Sequence, residues 1–247
     1  MMREEYKTIA TERYPISCKS YVSEFQANGI ILGVHGFAGD KESSALKSLA
    51  KVSGERGTSL ICFDFPAHGA SEASDDMLSV KNCIDDLLLM AELCRKEHPN
   101  ERKFLFATSF GGYIALLCGN KLKDFSIVLR APAVTMAEHI LTDLLNTTPE
   151  AFKKAGTIIY GFDRKICLPF SFYEELQKYR IADCVCDNPM LIIHGDIDDV
   201  VPYHDIIDFC SCHKNAVLRT VHGADHRFKK AGEIKQVIES AISYWKL

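Results

Sequence analysis

In Lys103-Phe104-Leu105-Phe106-Ala107-Thr108-Ser109-Phe110-Gly111-Gly112, an apolar run of strand type breaks at Ser109 and gives way to an apolar helical stretch, Tyr113 to Cys118. A serine on a sharp strand-to-helix turn stands clear of the sheet in a strained backbone. It needs small residues two positions to either side. Ala107 and Gly111 fill those places. A helix starting at Phe110 directs unpaired N–H groups and a positive dipole end toward the hydroxyl. An imidazole within reach could then activate it as a nucleophile. Glycine is commoner than alanine at the first of the small positions. A serine merely capping a helix is the plainer reading of this stretch alone.

Outward from this junction, short apolar runs alternate with longer amphipathic stretches. Ile30–His35, Thr58–Asp64, Lys103–Thr108, Phe125–Arg130, Pro189–His194 and Ala216–Val221 read as strands apolar on both faces. Such strands belong to a mostly parallel sheet with helices on both sides, an α/β architecture. Val80, Ile84, Leu87, Leu88, Ala91 and Cys94 recur at helical steps, as do Ile234, Val237, Ile238, Ala241 and Ile242. Residues 16–25 alternate loosely and are expected as an antiparallel edge strand. A single domain over 1–247 is expected, with one interruption. From about 134 to 183 the strand–helix rhythm lapses, which suggests an inserted cap. Within it Met136–Leu145 and Pro149–Ala155 read as helical, and Thr157–Tyr160 with Lys165–Leu168 as a hairpin.

Four further loops follow predicted strand ends, where ligand sites of open α/β sheets gather. In His35-Gly36-Phe37-Ala38-Gly39, Gly36 permits a tight turn that leaves the Phe37 N–H pointing outward. Paired with the Phe110 N–H it could hold a developing oxyanion. In Asp64-Phe65-Pro66-Ala67-His68-Gly69-Ala70-Ser71, Gly69 suits an unusual backbone angle and His68 reads as structural. His194-Gly195-Asp196-Ile197-Asp198-Asp199-Val200-Val201-Pro202 offers three aspartates to orient a histidine. Asp198 is preferred, in part because a loop leaving the strand at Gly195 needs two residues before turning back, and in part from the family resemblance given below. Asp196 is second, read as bracing its own loop, and Asp199 as facing outward. His222-Gly223-Ala224-Asp225-His226 supplies His226 as the base. A zinc pair of His222 and His226 is rejected, because Gly223 opposes a helix and no third ligand sits at a supporting distance. Cys184-Val185-Cys186 and Cys210-Ser211-Cys212 lack the two-residue spacer of metal or redox motifs. The order serine, aspartate, histidine is that of one large enzyme superfamily.

Residues from about Gly29 to Trp245 resemble the α/β-hydrolase superfamily, in its serine-esterase and serine-aminopeptidase-like branch. Within that branch they resemble the small bacterial cinnamoyl/feruloyl esterase type. The resemblance rests on His35-Gly36-Phe37, Asp64 with His68-Gly69-Ala70-Ser71, Ser109-Phe110-Gly111-Gly112, the loop from His194 to Tyr203, and Gly223-Ala224-Asp225-His226. It implies an α/β-hydrolase fold with an inserted cap and no cofactor. It also implies Ser109 as nucleophile, Asp198 as acid, His226 as base, and Phe37 and Phe110 as oxyanion donors. The expected activity is hydrolysis of carboxylic esters through an acyl-enzyme. A peptidase or thioesterase on the same triad, or a non-catalytic binder of the same fold, stays open. Tyr160, Phe162, Phe170, Phe172 and Tyr173 make the cap aromatic. They suit a medium acyl chain or an aryl acid, or form the cap's own small core.

Composition narrows the partners. Lys+Arg of 29 against Asp+Glu of 33 gives a net charge of −4 without a basic face, so nucleic acid and anionic membrane are not expected. The expected partner is a small-molecule ester, and a homodimer is left open. The N-terminus Met1–Lys7 is charged with no apolar stretch behind it, so no secretory signal is expected. The ten cysteines are then expected reduced in the cytoplasm.

Overall fold

The computed structural model describes residues 2–247. Six strands run parallel: β3 (Gly29–Val34), β4 (Thr58–Phe63), β5 (Arg102–Thr108), β6 (Phe125–Arg130), β9 (Met190–Gly195) and β10 (Ala216–Val221). Two antiparallel strands, β1 (Met2–Ile9) and β2 (Ile16–Ser23), extend the sheet, giving the order β1-β2-β4-β3-β5-β6-β9-β10. Every residue of β3 and β9 is buried, as strands covered on both faces must be. The segment expected at the edge, 16–25, is therefore internal. β1 covers it in unbroken register from Met2↔Ser23 to Ile9↔Ile16. Met2-Arg3-Glu4-Glu5-Tyr6-Lys7-Thr8-Ile9 has an exposed middle on both faces and no apolar alternation to reveal it. Its charges guard the sheet's outer edge against pairing with another chain.

Two helix layers flank the sheet. On one face α1 (Ser44–Gly54) and α8 (Glu233–Trp245) bury Leu46, Leu49, Val237, Ile238 and Trp245 against Phe104, Phe106 and Ile193. The Trp245 indole donates to the Ser126 carbonyl at 3.1 Å, so its one polar atom is satisfied there. On the other face α2 (Val80–Glu97), α3 (Phe110–Cys118) and α7 (Tyr203–Cys212) join the larger apolar cluster. α1 and α7 lie outside the set expected from periodicity.

Between β6 and β9 run α4 (Met136–His139), a π-turn (Ile140–Leu144), α5 (Pro149–Ala155), a hairpin of β7 (Thr157–Tyr160) and β8 (Ile166–Pro169), and α6 (Phe170–Leu176). This segment has its own buried side chains, Phe152, Ile166, Leu168, Phe172 and Leu176, continuous with the core below. Polar ties bind it down. Glu175 caps the first turn of α2 by accepting the Val80 N–H at 2.8 Å and the Lys81 N–H at 3.1 Å. Arg164, at the hairpin tip, donates to the Gly69 and Ser71 carbonyls at 3.1 and 2.7 Å. Among the described residues no helix is long and apolar enough to cross a membrane.

Candidate active site

Ser109 sits between β5 and α3 with φ 49° and ψ −114°, a conformation that non-glycine residues adopt only under constraint. The constraint comes from three backbone bonds. The Ser109 N–H donates to the Arg130 carbonyl at 2.9 Å, and its own carbonyl accepts from Tyr113 and Ala133 at 3.0 and 3.1 Å. Gly111 is required by close approach: a Cβ there would lie 2.5 Å from the His35 carbonyl oxygen. Ala107, in place of the commoner glycine, is wholly buried in β5 without disturbing the turn.

The imidazole of His226 reaches the serine from the loop after β10, with Nε2 3.0 Å from Ser109 Oγ. Its Nδ1 lies 2.8 Å from Asp198 Oδ2. Asp198 hangs from the loop after β9, its side chain fully buried. Its Oδ1 accepts the Val200 and Val201 N–H groups at 2.9 and 2.7 Å. Burial alone would raise the Asp198 carboxyl. Hydrogen bonding and charge from His226, with the Val201 N–H and His194, hold it below the usual carboxylate range. The loops carrying Asp198 and His226 touch at Gly195, where a Cβ would lie 2.1 Å from the Ala224 carbonyl oxygen.

The other aspartates of this loop are placed differently. Asp196 bonds its own backbone, as a loop brace should. It also reaches across to the histidine loop, accepting the Gly223 N–H at 2.6 Å and pairing with His222 Nδ1 at 2.8 Å. Asp199 is exposed. A second histidine, which sequence reasoning missed, touches Asp198. His194 Nε2 lies 3.2 Å from Asp198 Oδ2 and 3.0 Å from the Val201 carbonyl. Burial lowers its pKa, so it stays a neutral donor. The signal was its place as the last imidazole before Gly195, too local to show what it would meet.

The turn after β3 closes through Gly39 N–H to the Gly36 carbonyl at 3.0 Å. A Cβ on Gly36 would come within 3.2 Å of Ser109 Cβ, so this turn lies directly against the serine. Phe110 is the first residue of α3, where the N–H has no intrahelical acceptor. His35 fixes the turn, its Nε2 accepting the Phe65 N–H at 3.0 Å and its Nδ1 lying 2.7 Å from the Gly36 carbonyl. Behind it Asp64 accepts from the Lys41 and Ala70 N–H groups, both at 2.8 Å, and pairs with Lys41 Nζ. Gly69, at φ 49°, passes so close that a Cβ would strike the Asp64 carboxylate. His68 is buried, and burial pushes its pKa down to about 3.

Ser109 and His226 open into a cavity of about 900 Å³ roofed by the segment between β6 and β9. Of the cap aromatics, Tyr160 and Phe162 line it. Phe170, Phe172 and Tyr173 do not. Phe172 is buried against the Phe37 and Phe110 rings, and Phe170 packs on Phe152 and Tyr173 as the cap's own core. The Arg227 guanidinium, next to His226, stacks on Phe162 at 4.0 Å and so links the histidine loop to the roof. All ten cysteines are unpaired. Among the described residues no group of three or more His, Cys, Asp or Glu side chains is arranged to hold a metal ion.

Residues 26–162 match the sequence profile of a family described as serine aminopeptidase, S33. A candidate esterase/lipase of Mycoplasma pneumoniae is 22% identical over 224 residues, covering 78% of this chain and 80% of that protein. Among solved structures, Est1E from Butyrivibrio proteoclasticus with ferulic acid bound superposes with a TM-score of 0.85. It is 21% identical and covers 97% of this chain and 98% of its own. A soluble variant of monoglyceride lipase from Saccharomyces cerevisiae, in complex with a substrate analogue, gives 0.77 at 16% identity, covering 97% of this chain and 94% of its own. The fold is that of the α/β hydrolases.

Proposed function

The chain belongs to the serine aminopeptidase, S33, family, and we propose that within it this protein is a serine esterase working through Ser109, His226 and Asp198. One observation carries the reading: the unbroken relay from Ser109 Oγ to His226 Nε2 at 3.0 Å and from His226 Nδ1 to Asp198 Oδ2 at 2.8 Å. The backbone of Val200 and Val201 is what orients Asp198. With Oδ1 occupied by two N–H groups, Oδ2 is left to accept the Nδ1 proton. His226 Nε2 is thereby left bare to take the serine proton.

In acylation Ser109 Oγ bonds to the ester carbonyl carbon while its proton passes to His226. The Phe37 and Phe110 N–H groups hold the carbonyl oxygen as it becomes negative. The alcohol leaves with the proton from His226. Water then gives its proton to the same nitrogen and attacks the acyl-enzyme, releasing the acid and restoring Ser109. Each oxyanion donor is worth about 10²–10³ in turnover.

The substrate reading is an ester with a short or medium acyl chain or an aryl acid. Tyr160 and Phe162 on the cavity wall support it, as does the ferulic acid bound by the similar Est1E. The ten unpaired thiols suit a reducing compartment such as the cytoplasm. The family description favours a second reading, cleavage of an amide at a peptide N-terminus.

The test is a panel of p-nitrophenyl esters, thioesters and aminoacyl p-nitroanilides, with a fluorophosphonate probe. Esters turn over fastest, the probe labels Ser109, and Ser109→Ala loses both activities. A wild-type protein inert to the panel and to the probe ends the proposal, and faster anilide than ester turnover transfers it to the peptidase. Equal rates on acetyl and feruloyl esters remove the aryl preference.

A further inference from the structure

Arg130 closes β6 beside the nucleophile. Its Cα is in register with Thr108 and its carbonyl accepts the Ser109 N–H at 2.9 Å. The side chain runs beneath the histidine loop, its guanidinium 4.9 Å from the centre of the Phe228 ring. Only 8% exposed, it forms part of the wall of the cavity that holds Ser109 and His226.

For a buried cation it is thinly bonded. A guanidinium offers five N–H donors. Only Nη2 finds an acceptor, the Arg227 carbonyl at 3.0 Å, and Nε has no partner. The carboxylates whose charge it feels are Asp198 and Asp225. Both are engaged elsewhere. Asp198 serves the Val200 and Val201 N–H groups, His226 and His194. Asp225 accepts the Arg227 and Lys229 N–H groups at 3.0 and 3.3 Å and pairs with Lys229 Nζ at 3.1 Å. Burial lowers the Arg130 pKa to about 10, which still leaves a full positive charge at neutral pH. Such a charge is costly unless an anion meets it. Arg130 lines the cavity, and an anion held there would meet it.

We propose that Arg130 receives an anionic group of the substrate, so that the preferred esters carry a carboxylate or phosphate near the scissile bond. Nη1 and the spare Nη2 hydrogen present the paired donors that can bind two oxygens of either group. The inference rests on Ser109 as nucleophile and adds the charge of what it attacks. A staple for the histidine loop is the competing role, because Nη2 also holds the Arg227 carbonyl. The two differ in whether substrate charge matters.

The experiment compares kcat/KM within three matched pairs. They are mono-p-nitrophenyl succinate against its methyl ester, 3-acetoxypropanoate against 3-acetoxypropanamide, and 2-acetoxyethyl phosphate against ethylene glycol monoacetate. The pairs place a carboxylate on the acyl side, a carboxylate on the alcohol side, and a phosphate. In wild type the anionic member of at least one pair leads by about tenfold or more. Arg130→Met abolishes that lead and Arg130→Lys keeps part of it. Succinate or inorganic phosphate also slows fluorophosphonate labelling of wild type, a readout that needs no variant to fold. Neutral members leading in every pair, or Arg130→Met lowering both members equally, overturns the inference. Wild type that fails to label at all removes instead the nucleophile on which it rests.

Discussion

Replacing Asp198 by asparagine should cost about 10⁴ in kcat, and the reason lies in which way the amide must face. The side chain at 198 meets two surroundings. One oxygen accepts the Val200 and Val201 N–H groups, and the other meets His226 Nδ1 and His194 Nε2. Turning the amide nitrogen toward the backbone would set it against two buried donors. Each unsatisfied N–H costs about 1–3 kcal/mol, so that orientation is worse by about 2–6 kcal/mol. The amide oxygen therefore stays with the backbone and the NH₂ faces the histidines. His194 keeps its ring proton on Nε2, where the Val201 carbonyl accepts it, and so needs nothing from residue 198. His226 can accept from the NH₂ only by moving its proton to Nε2, the nitrogen facing Ser109 Oγ. A base holding a proton there cannot take the serine's. A triad aspartate changed to asparagine in this way loses about 10⁴ in turnover, or about 5.4 kcal/mol at 1.36 per factor of ten. The assay is kcat on p-nitrophenyl butyrate, with thermal melting as a check on folding. Asp196→Asn is the control, because Asp196 meets His222 and Gly223 and not His226. Folded Asp198→Asn within tenfold of wild type, or Asp196→Asn equally impaired, would refute the argument.

Gly195→Ala places a methyl 2.1 Å from the Ala224 carbonyl oxygen. It should drive the acid and base loops apart and lower kcat about a hundredfold with a smaller change in KM, and activity within threefold of wild type would contradict this. His68 should make stability depend on pH: with its native pKa near 3 against 6.5 unfolded, the unfolded chain binds more protons between those values. Stability then falls as pH drops below 6.5, by up to about 1.4 kcal/mol per pH unit for this group. Urea midpoints of His68→Gln between pH 4 and 6.5 should show a shallower acid slope than wild type, and an unchanged slope would show that His68 contributes none of it.

The strands were legible where burial imposes composition. β3, β5, β6 and β9 are shut in on both faces, and an apolar run is the only sequence that tolerates that. β1 fails the same test for the opposite reason. Its residues are largely exposed, and nothing in their polarity reports that the backbone pairs with β2. The consequence was a misplaced edge, since 16–23 is an outer strand only if 2–9 is ignored. The hairpin of β7 and β8 was legible because its turn, Gly161-Phe162-Asp163-Arg164, separates two β-rich runs, and Gly161 takes the positive φ that the turn needs.

The candidate site divides along the same physical line. Ser109, Asp198 and His226 follow strand ends whose turns depend on neighbours one or two positions away, such as Gly111 and Gly195, so the local sequence carries the geometry. What surrounds them is decided at a distance. Arg164 anchors the roof through carbonyls more than 90 positions earlier, and Arg130 meets a carbonyl 97 positions later. The cap aromatics make the point most plainly. Tyr160 and Phe172 are both aromatic and both lie against Phe37, yet Tyr160 lines the cavity and Phe172 is sealed beneath it. The difference is set by the register of β7 on β8 and the rotation of α6, which residue type does not encode. Reaction type, which rests on turns, is thus more readable from sequence than specificity, which rests on packing between separately folded segments. The charge of Arg130 escapes that limit only in part: its identity is visible in the sequence, but its want of an anion becomes visible only when Asp198 and Asp225 are seen bonded elsewhere.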